Sequence, residues 1–294
     1  MARPTHSKPI YPYQLANDLR YNKYMFESFK GGQQPLFLKI ASGLPALPTA
    51  GQGTISYGLT PGGNYVELFE STAQTLFPVG VAGSGLNVAC DLVENEALEL
   101  VPGGNSSSSR LAFTIGTDPD FLFRVKYKIT DVSGMDQAIL AGFRKQEAYA
   151  VPTSLLTTGD GIYTDFCGIG LSEEDGVDLK IMSDLNNAGS TVVTDTLFDT
   201  TDAQVLEVEM RVIGRKAIFL INGVRLGDVV RFDGDGTAIT AQSTNTGPVF
   251  TLDSGDVVVP WYFGRHDDEV GEGTHIVEWE CGHLRDQGKD PNNE

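Results

Sequence analysis

Two pairs of glutamates stand two residues apart in segments that are typical of β-strands. Glu278 and Glu280 lie in VEWEC, and Glu207 and Glu209 lie in LEVEMR. Alternate residues of a strand point to one face, so the members of each pair share a face. A glycosidase needs two carboxylates that flank one sugar bond, about 5 Å apart for a retaining mechanism. Neither pair continues to a third acid on its face, so the pattern predicts a charged, solvated surface and no catalytic residues.

Two acidic loops offer ligands for a cation. DGDG supplies Asp233 and Asp235, and HDDE, at positions 266–269, supplies three carboxylates and an imidazole. These are suitable ligands for a hard or borderline cation. The DGDG loop lacks the distal glutamate of an EF-hand, Asp-Gly repeats are commonly turns, and acidic loops at strand ends are commonly only solvated. The sequence therefore predicts no metal site and no cofactor.

The chain has three cysteines, Cys90, Cys167 and Cys281, which are too few and too far apart in sequence to form a disulfide framework. Their apolar strand contexts predict reduced, buried thiols. His283 lies two residues after Cys281 and shares its strand face, but no residue that would orient such a dyad can be identified. The chain also lacks a Gly-x-Ser-x-Gly nucleophile elbow.

The aromatic strand VVVPWYFGR could serve a lectin. Trp261 and Tyr262 would stack on a sugar ring if they were exposed. Three valines precede them, so we expect at least one of the two side chains to lie in the core.

The charge of the chain is divided unevenly. The total is −18, whereas residues 1–40 carry six Lys or Arg side chains against two Asp or Glu, a net +4, so the remainder carries −22. Such an acidic body repels DNA and anionic lipid, so neither a nucleic-acid nor a membrane partner is expected. No window has the apolar length of a membrane span or a secretion signal.

Residues 1–40 differ from the rest in their prolines and tyrosines. We expect an extended basic arm that orders against a partner surface, with one short helix in YQLANDLRYNKYMFESF. The alternative is an arm that packs along its own domain or stays disordered. The predicted partner-binding residues are Arg3, Lys8, Tyr11, Tyr13, Arg20, Tyr21, Lys23 and Tyr24.

From residue 41 to residue 294 the pattern predicts one β-sandwich domain. Its core spans about residues 110–286, residues 41–109 add further strands and loops, and GGNSSSSR is a loop. FLFRVKYKI and QVLEVEMRVI alternate apolar and charged residues, as half-buried strands do. KAIFLINGVRLGD predicts a hairpin with Asn222 and Gly223 in a type I′ turn. About a dozen such strands, with no long amphipathic helix, predict two packed antiparallel sheets.

The order of these strands resembles the concanavalin A-like sandwich of legume-type lectins, laminin G modules and some glucanases. The resemblance covers about residues 110–286, and the segments that carry it are FLFRVKYKI, GIGL, VDLKI, LEVEMRVIGRKAIFLINGV, PWYFGRH and VEWECGHLR. It implies an all-β, two-sheet antiparallel jelly-roll. The retaining glucanases of that superfamily have a Glu-x-Asp-x-(x)-Glu pattern, from which both glutamate pairs depart.

Within this superfamily the chain is most similar in character to bacteriophage capsid decoration or cement proteins. The shared features are an acidic sandwich, an extended terminal arm and no evident catalytic set. The resemblance implies a structural virion protein on the capsid exterior, made in the host cytoplasm, that binds the major capsid protein as a dimer or trimer and is not an enzyme. A lectin-like carbohydrate-binding module is the alternative, and a glycoside hydrolase is the third possibility.

Overall fold

The computed structural model describes residues 23–39, 54–70, 77–88, 96–130, 132, 138–149, 163–172, 175–184, 192–226, 231–232, 238–239, 250–266 and 273–284. Every regular element within these ranges is a β-strand. Over the same ranges there is no helix long and apolar enough to cross a membrane.

The described strands form two large antiparallel sheets and one small ribbon. The smaller sheet has nine strands: β1 (Tyr24–Ser28), β5 (Val79–Val81), β6 (Gly85–Asn87), β9 (Phe121–Ile129), β14 (Val205–Ile213), β15 (Lys216–Ile221), β16 (Val224–Arg225), β19 (Phe250–Thr251) and β21 (Thr274–His283). Its order is β16-β15-β14-β9-β21-β6-β5, with β1 paired to β21 and β19 paired to β15.

The larger sheet has ten described strands. They are β2 (Leu36–Lys39), β3 (Thr54–Leu59), β4 (Tyr65–Glu70), β7 (Glu96–Pro102), β8 (Phe113–Thr114), β10 (Ala138–Lys145), β11 (Phe166–Ser172), β12 (Asp175–Asp184), β13 (Val192–Asp199) and β20 (Val257–His266). Its order is β13-β12-β11-β10-β20-β7-β4-β3-β2, with β8 paired to β20. The ribbon joins β17 (Arg231–Phe232) to β18 (Ala238–Ile239).

Alternation along each strand creates the main core between the two sheets. In β9 every odd-numbered residue from Phe121 to Ile129 is buried, while the residues between them are only half-buried. The same cluster takes inward residues of β14 and, from the larger sheet, Ile169 and Ile181. Burial of these apolar faces is the main free-energy gain that holds the sheets together. The predicted two-sheet antiparallel architecture is confirmed.

The hairpin formed by β15 and β16 turns at Asn222 and Gly223. Their φ angles are +50° and +76°, the left-handed region that a type I′ turn requires. Asn222 Oδ1 also accepts a 3.1 Å hydrogen bond from the backbone N–H of Glu207, which fixes the tip against β14. The predicted hairpin is therefore confirmed, and in this fold its tip joins two neighbouring strands.

The predicted helix is wrong where the structure describes it. Residues 24–28 form β1, which pairs with β21. Met25, Glu27 and Phe29 are all buried, and a spacing of two places the three side chains on one side of a strand, whereas in a helix Glu27 would point away from the other two. Glu27 is also buried and accepts hydrogen bonds from Thr60 and from Asn64 Nδ2 (2.6 Å) in the turn between β3 and β4. Sheet pairing thus begins inside the predicted arm, and residues 1–22 lie outside the described ranges.

Candidate functional site

The predicted glutamate pairs lie on the outer face of the smaller sheet, in a ladder of ion pairs. Lys126 Nζ lies 3.3 Å from Glu207 and 3.3 Å from Glu278, and Arg124 pairs with Glu280. Lys30 adds a second cation, 2.8 Å from Glu278. Glu209, which is buried, pairs with Arg211 on the same strand, so each of the four carboxylates has a cationic partner on its own face. The arrangement matches the charged outer face that the alternation predicts.

The cysteine and histidine of β21 lie in different surroundings. Cys281 is fully buried in the main core, where burial raises the pKa of its thiol. His283 Nδ1 lies 3.3 Å from the Pro119 carbonyl, and the imidazole packs edge-on against Phe113. A thiol that is hard to ionise and an imidazole held elsewhere do not form a nucleophilic dyad. Cys167 is likewise a buried thiol.

The aromatic strand does not expose a sugar platform. Tyr262 is buried in the main core, and Trp261 is buried on the opposite face of β20. The DGDG loop and residues 267–269 lie outside the described residues, while His266 is the last residue of β20.

Two of the eight predicted partner-binding residues can be located. Lys23 Nζ lies 2.7 Å from Asp118 and 5.1 Å from the centre of the Phe113 ring, and the Tyr24 hydroxyl donates to Glu280 at 2.9 Å. Both side chains therefore contact their own sandwich. The other six precede the described ranges, so partner binding by this segment stays a prediction.

Three aspartates meet near one end of β10. Ligand atoms of Asp165, Asp253 and Asp256 lie within 4.8 Å of one another. The ammonium of Lys145 lies beside them, 3.1 Å from Asp165 and 3.0 Å from Asp256. Burial alone would lower the pKa of Lys145, but its hydrogen bonds to Asp256 and Asp165 raise it. A lysine thus supplies the positive charge at this cluster.

The outer face of the larger sheet carries a buried ion pair, a feature that the sequence patterns did not predict. Glu99 on β7 and Arg144 on β10 both have side chains with 0% exposure, and Glu99 Oε2 lies 3.3 Å from Arg144 Nε. Trp261 lies between their two strands, on β20. With the aromatic residues around them, these side chains form the buried cluster: Glu99, Arg144, Tyr149, Tyr163 and Trp261.

Hydrogen bonds and aromatic rings hold the buried cluster. The Tyr163 hydroxyl donates to Glu99 at 2.7 Å. The Arg144 guanidinium lies 4.1 Å from the Tyr163 ring centre and 5.0 Å from that of Tyr149, both within cation–π distance. Burial raises the pKa of Glu99, whereas Arg144 and the hydrogen bond from Tyr163 oppose that rise. Burying two charges costs several kcal/mol, so this pair needs the surrounding contacts.

Beside the buried cluster, β3 and β4 present a partly exposed aromatic pair. The rings of Tyr57 and Tyr65 are stacked, with centres 6.0 Å apart and planes inclined by 20°. Tyr65 is 38% exposed, and its hydroxyl donates to Glu67 Oε1 at 2.9 Å. We call Tyr57, Tyr65 and Glu67 the tyrosine platform.

Glu67 connects the platform to the buried cluster. Its second oxygen, Oε2, accepts hydrogen bonds from the Tyr149 hydroxyl at 2.9 Å and from the Asn105 backbone N–H at 3.0 Å. Arg144 Nη1 donates to Asn105 Oδ1 at 3.1 Å, and Tyr149 stacks on Phe69. The platform carboxylate is therefore fixed by residues that themselves contact the buried arginine.

A signal for this site exists in the sequence, but it is weak. NYVELF and ALELV each hold one glutamate among apolar residues, and in both strands it stands where alternation leads to the outer face. Asn105 belongs to GGNSSSSR, which is the predicted loop. Nothing in those short segments tells which outer face will be covered.

No protein-family model matches the chain, and no curated protein matches it in sequence. Solved structures are similar at low identity. The carbohydrate recognition domain of Emp46p in its potassium-bound form is 9% identical over 92% of this chain and 93% of that chain, with a TM-score of 0.44. SCLam, a non-specific endo-β-1,3(4)-glucanase from family GH16, is 8% identical over 90% and 92%, with a TM-score of 0.41. The alginate lyase AlgAT5 from polysaccharide lyase family 7 is 12% identical over 78% and 80%, with a TM-score of 0.34.

These similarities concern the fold. The predicted all-β architecture of two antiparallel sheets is confirmed by the sheets themselves, while the concanavalin A-like assignment and the resemblance to phage decoration proteins stay predictions. The expectation that the chain is not an enzyme, which rested on the absence of a catalytic residue pattern, is contradicted, because the solved structures to which the chain is similar include a glucanase and an alginate lyase. The lack of a glucanase-like acid pattern in two strands did not justify that exclusion.

Proposed function

We propose that this protein binds carbohydrate, and that the tyrosine platform is its saccharide-binding surface. The single observation that carries the proposal is the partly exposed Tyr57–Tyr65 stack with the Glu67 carboxylate at its edge. A sugar ring has apolar C–H faces and a polar hydroxyl rim, so it fits a flat aromatic surface that has a hydrogen-bond acceptor beside it.

The hydrogen-bonding capacity of the platform supports this assignment. A carboxylate oxygen accepts about two hydrogen bonds, and Glu67 Oε1 accepts one in the described structure, from Tyr65. The Tyr65 oxygen, having donated its proton, keeps its own acceptor capacity. A sugar hydroxyl can therefore donate to either oxygen while its ring lies on the tyrosines.

The surface next to the platform is apolar and exposed. Leu59 pairs with Tyr65 in the β3–β4 register, and Leu36 pairs with Leu59 from β2. These leucines are 52% and 68% exposed. Contiguous exposed apolar residues are typical of binding sites, and here they extend the area available to a second sugar ring.

A glycan array probed with the labelled full chain tests the proposal. Tyr57→Ala and Tyr65→Ala should each weaken binding to the best glycan about twofold to twelvefold, since an aromatic stacking contact is worth about 0.5–1.5 kcal/mol. Phe26→Ala is the matched control, because Phe26 is 43% exposed on the outer face of the smaller sheet. Absence of binding to any glycan, or an equal loss in the Phe26 variant, would refute the proposal.

A second candidate function is decoration of a virion shell, through residues 1–22 and the major capsid protein. It is favoured by the charge split between residues 1–40 and the remaining chain. Contacts of Lys23 with Asp118 and Phe113 fix the point at which the preceding segment meets the sandwich. We expect a chain without residues 1–22 to lose co-sedimentation with capsid shells but to keep its glycan binding. Unchanged co-sedimentation would contradict this candidate.

A further inference from the structure

We infer that the saccharide bound by the tyrosine platform is neutral, and that Glu67 is the residue that excludes acidic sugars. This inference rests on the proposed function and adds the chemical class of its ligand. It is carried by the position of one carboxylate, by the contacts that hold it there, and by the burial of the nearest arginine.

The Glu67 carboxylate acts directly on the surface where a sugar ring would lie. Its Oε1 is 2.9 Å from the Tyr65 hydroxyl. Partial burial is the largest cause, and the Glu67 charge the second, of a raised pKa in both Tyr57 and Tyr65. The negative charge of Glu67 therefore acts on both tyrosines. A uronic or sialic acid stacked on this pair would bring a second carboxylate into the same space.

The same carboxylate cannot swing aside to admit an acidic ligand. Both of its oxygens are held, Oε1 by Tyr65 and Oε2 by Tyr149 and Asn105. Rotation away from the platform would break hydrogen bonds to Glu67, two of which tie it to Tyr149 and Asn105, and both of these residues contact Arg144. The charge is therefore a fixed part of the binding surface.

Arg144 does not neutralise the Glu67 charge that a ligand on the platform would meet. Its side chain is 0% exposed and pairs with Glu99, whose side chain is also 0% exposed. The guanidinium face is occupied further by Tyr163 and Tyr149. An acidic sugar on the platform would thus meet Glu67 without reaching the buried cation. The net charge of −18 adds a long-range repulsion of polyanions that salt screens.

The test compares two saccharides of equal length, cellohexaose and hexagalacturonate, by calorimetric titration of the full chain at low salt. Wild type should prefer the neutral hexasaccharide by about tenfold or more, since like charges a few ångströms apart repel strongly outside bulk water. Glu67→Gln should reduce that preference several-fold, while Glu67→Asp, which keeps the charge, should retain it. Added salt should weaken the wild-type preference.

Each other outcome has a distinct meaning. Equal or tighter binding of hexagalacturonate by wild type would overturn this inference and leave carbohydrate binding standing. Failure to bind either probe, together with a blank glycan array, would overturn the proposed function itself. If Glu67→Gln and Glu67→Asp lost binding alike with the preference unchanged, Glu67 would only position Tyr65 and Tyr149, and its role in excluding acidic sugars would be refuted.

Discussion

The outer faces of the two sheets use the same charged residue types in opposite ways. On the smaller sheet, Arg124, Lys126 and their glutamates form a partly exposed ladder in which every side chain reaches solvent. On the larger sheet, Glu99 and Arg144 are withdrawn from solvent and surrounded by aromatic rings. Exposed ion pairs contribute little to stability, because water already solvates both partners. A buried pair carries a large desolvation cost, so its partners depend on each other.

Removing one partner of the buried pair should have the largest effect on the free energy of unfolding. Glu99→Gln leaves the Arg144 guanidinium without an anionic partner, and we expect it to lower the free energy of unfolding by about 1–3 kcal/mol, less than for a fully compensated pair because burial already raises the pKa of Glu99. The matched variant on the smaller sheet is Glu278→Gln, whose expected loss is below about 1 kcal/mol. Urea unfolding at pH 8 measures both values.

A double variant separates the ion pair from general disruption. Glu99→Gln combined with Arg144→Met removes both charges, and it should be less destabilised than Glu99→Gln alone. Similar losses for Glu99→Gln and Glu278→Gln would show that the two outer faces do not differ energetically.

Lys145 offers an intermediate case next to Arg144. Its ammonium is partly exposed, yet it pairs with two of three clustered carboxylates, Asp165 and Asp256. Lys145→Met should lower stability by about 1–3 kcal/mol at low salt, because like charges then face each other. Calcium should restore part of that loss, since carboxylate oxygens are its preferred ligands.

Thermal unfolding with calcium and with a chelator measures the effect. Lys145→Arg keeps the charge and serves as the control, so its midpoint should not respond to calcium. A Lys145→Met midpoint equally insensitive to calcium would contradict the idea that the lysine occupies the place of a cation.

The two faces also differ in how well the sequence predicts which of their residues are buried. Strict alternation in β9 and β14 predicts both the core positions and the charged outer face, because each strand pairs along most of its length. A helix is predicted over the segment that forms β1. The spacing of Tyr21, Tyr24 and Phe29 does not reveal that this segment pairs with the edge of a sheet. Glu99 and Arg144 lie 45 positions apart, and β20 brings them together from a third segment. Long-range pairing of that kind leaves no local pattern.

The smallest expected difference between the two faces is the direction in which the pKa of one glutamate on each face is shifted. Burial raises the pKa of Glu99 above its ordinary 4.5, despite Arg144. A raised folded-state pKa means that the native protein binds this proton more tightly than the unfolded chain does. The stabilisation that comes from holding this proton is therefore present below pH 4.5 and is lost as pH rises through the higher, folded-state pKa, so the cost of Glu99→Gln is smaller at pH 8 than near pH 4.5.

Glu278 should titrate in the opposite sense. Burial alone would raise its pKa, but Lys30 and Lys126 outweigh burial and hold the pKa below 4.5. Its contribution is present above pH 4.5 and is lost as pH falls through the lower folded-state value. One proton changes the slope by at most about 1.4 kcal/mol per pH unit.

Urea unfolding from pH 3 to pH 8 measures both slopes as differences between wild type and each variant. For Glu278→Gln the difference should grow as pH rises from 3 to 5, because the carboxylate gains its two cations over that range. For Glu99→Gln, the free energy of unfolding of wild type should instead fall relative to the variant as pH rises above 4.5. Slopes of the same sign would mean that Arg144 compensates Glu99 as fully as the exposed lysines compensate Glu278, and burial would then not distinguish the two faces.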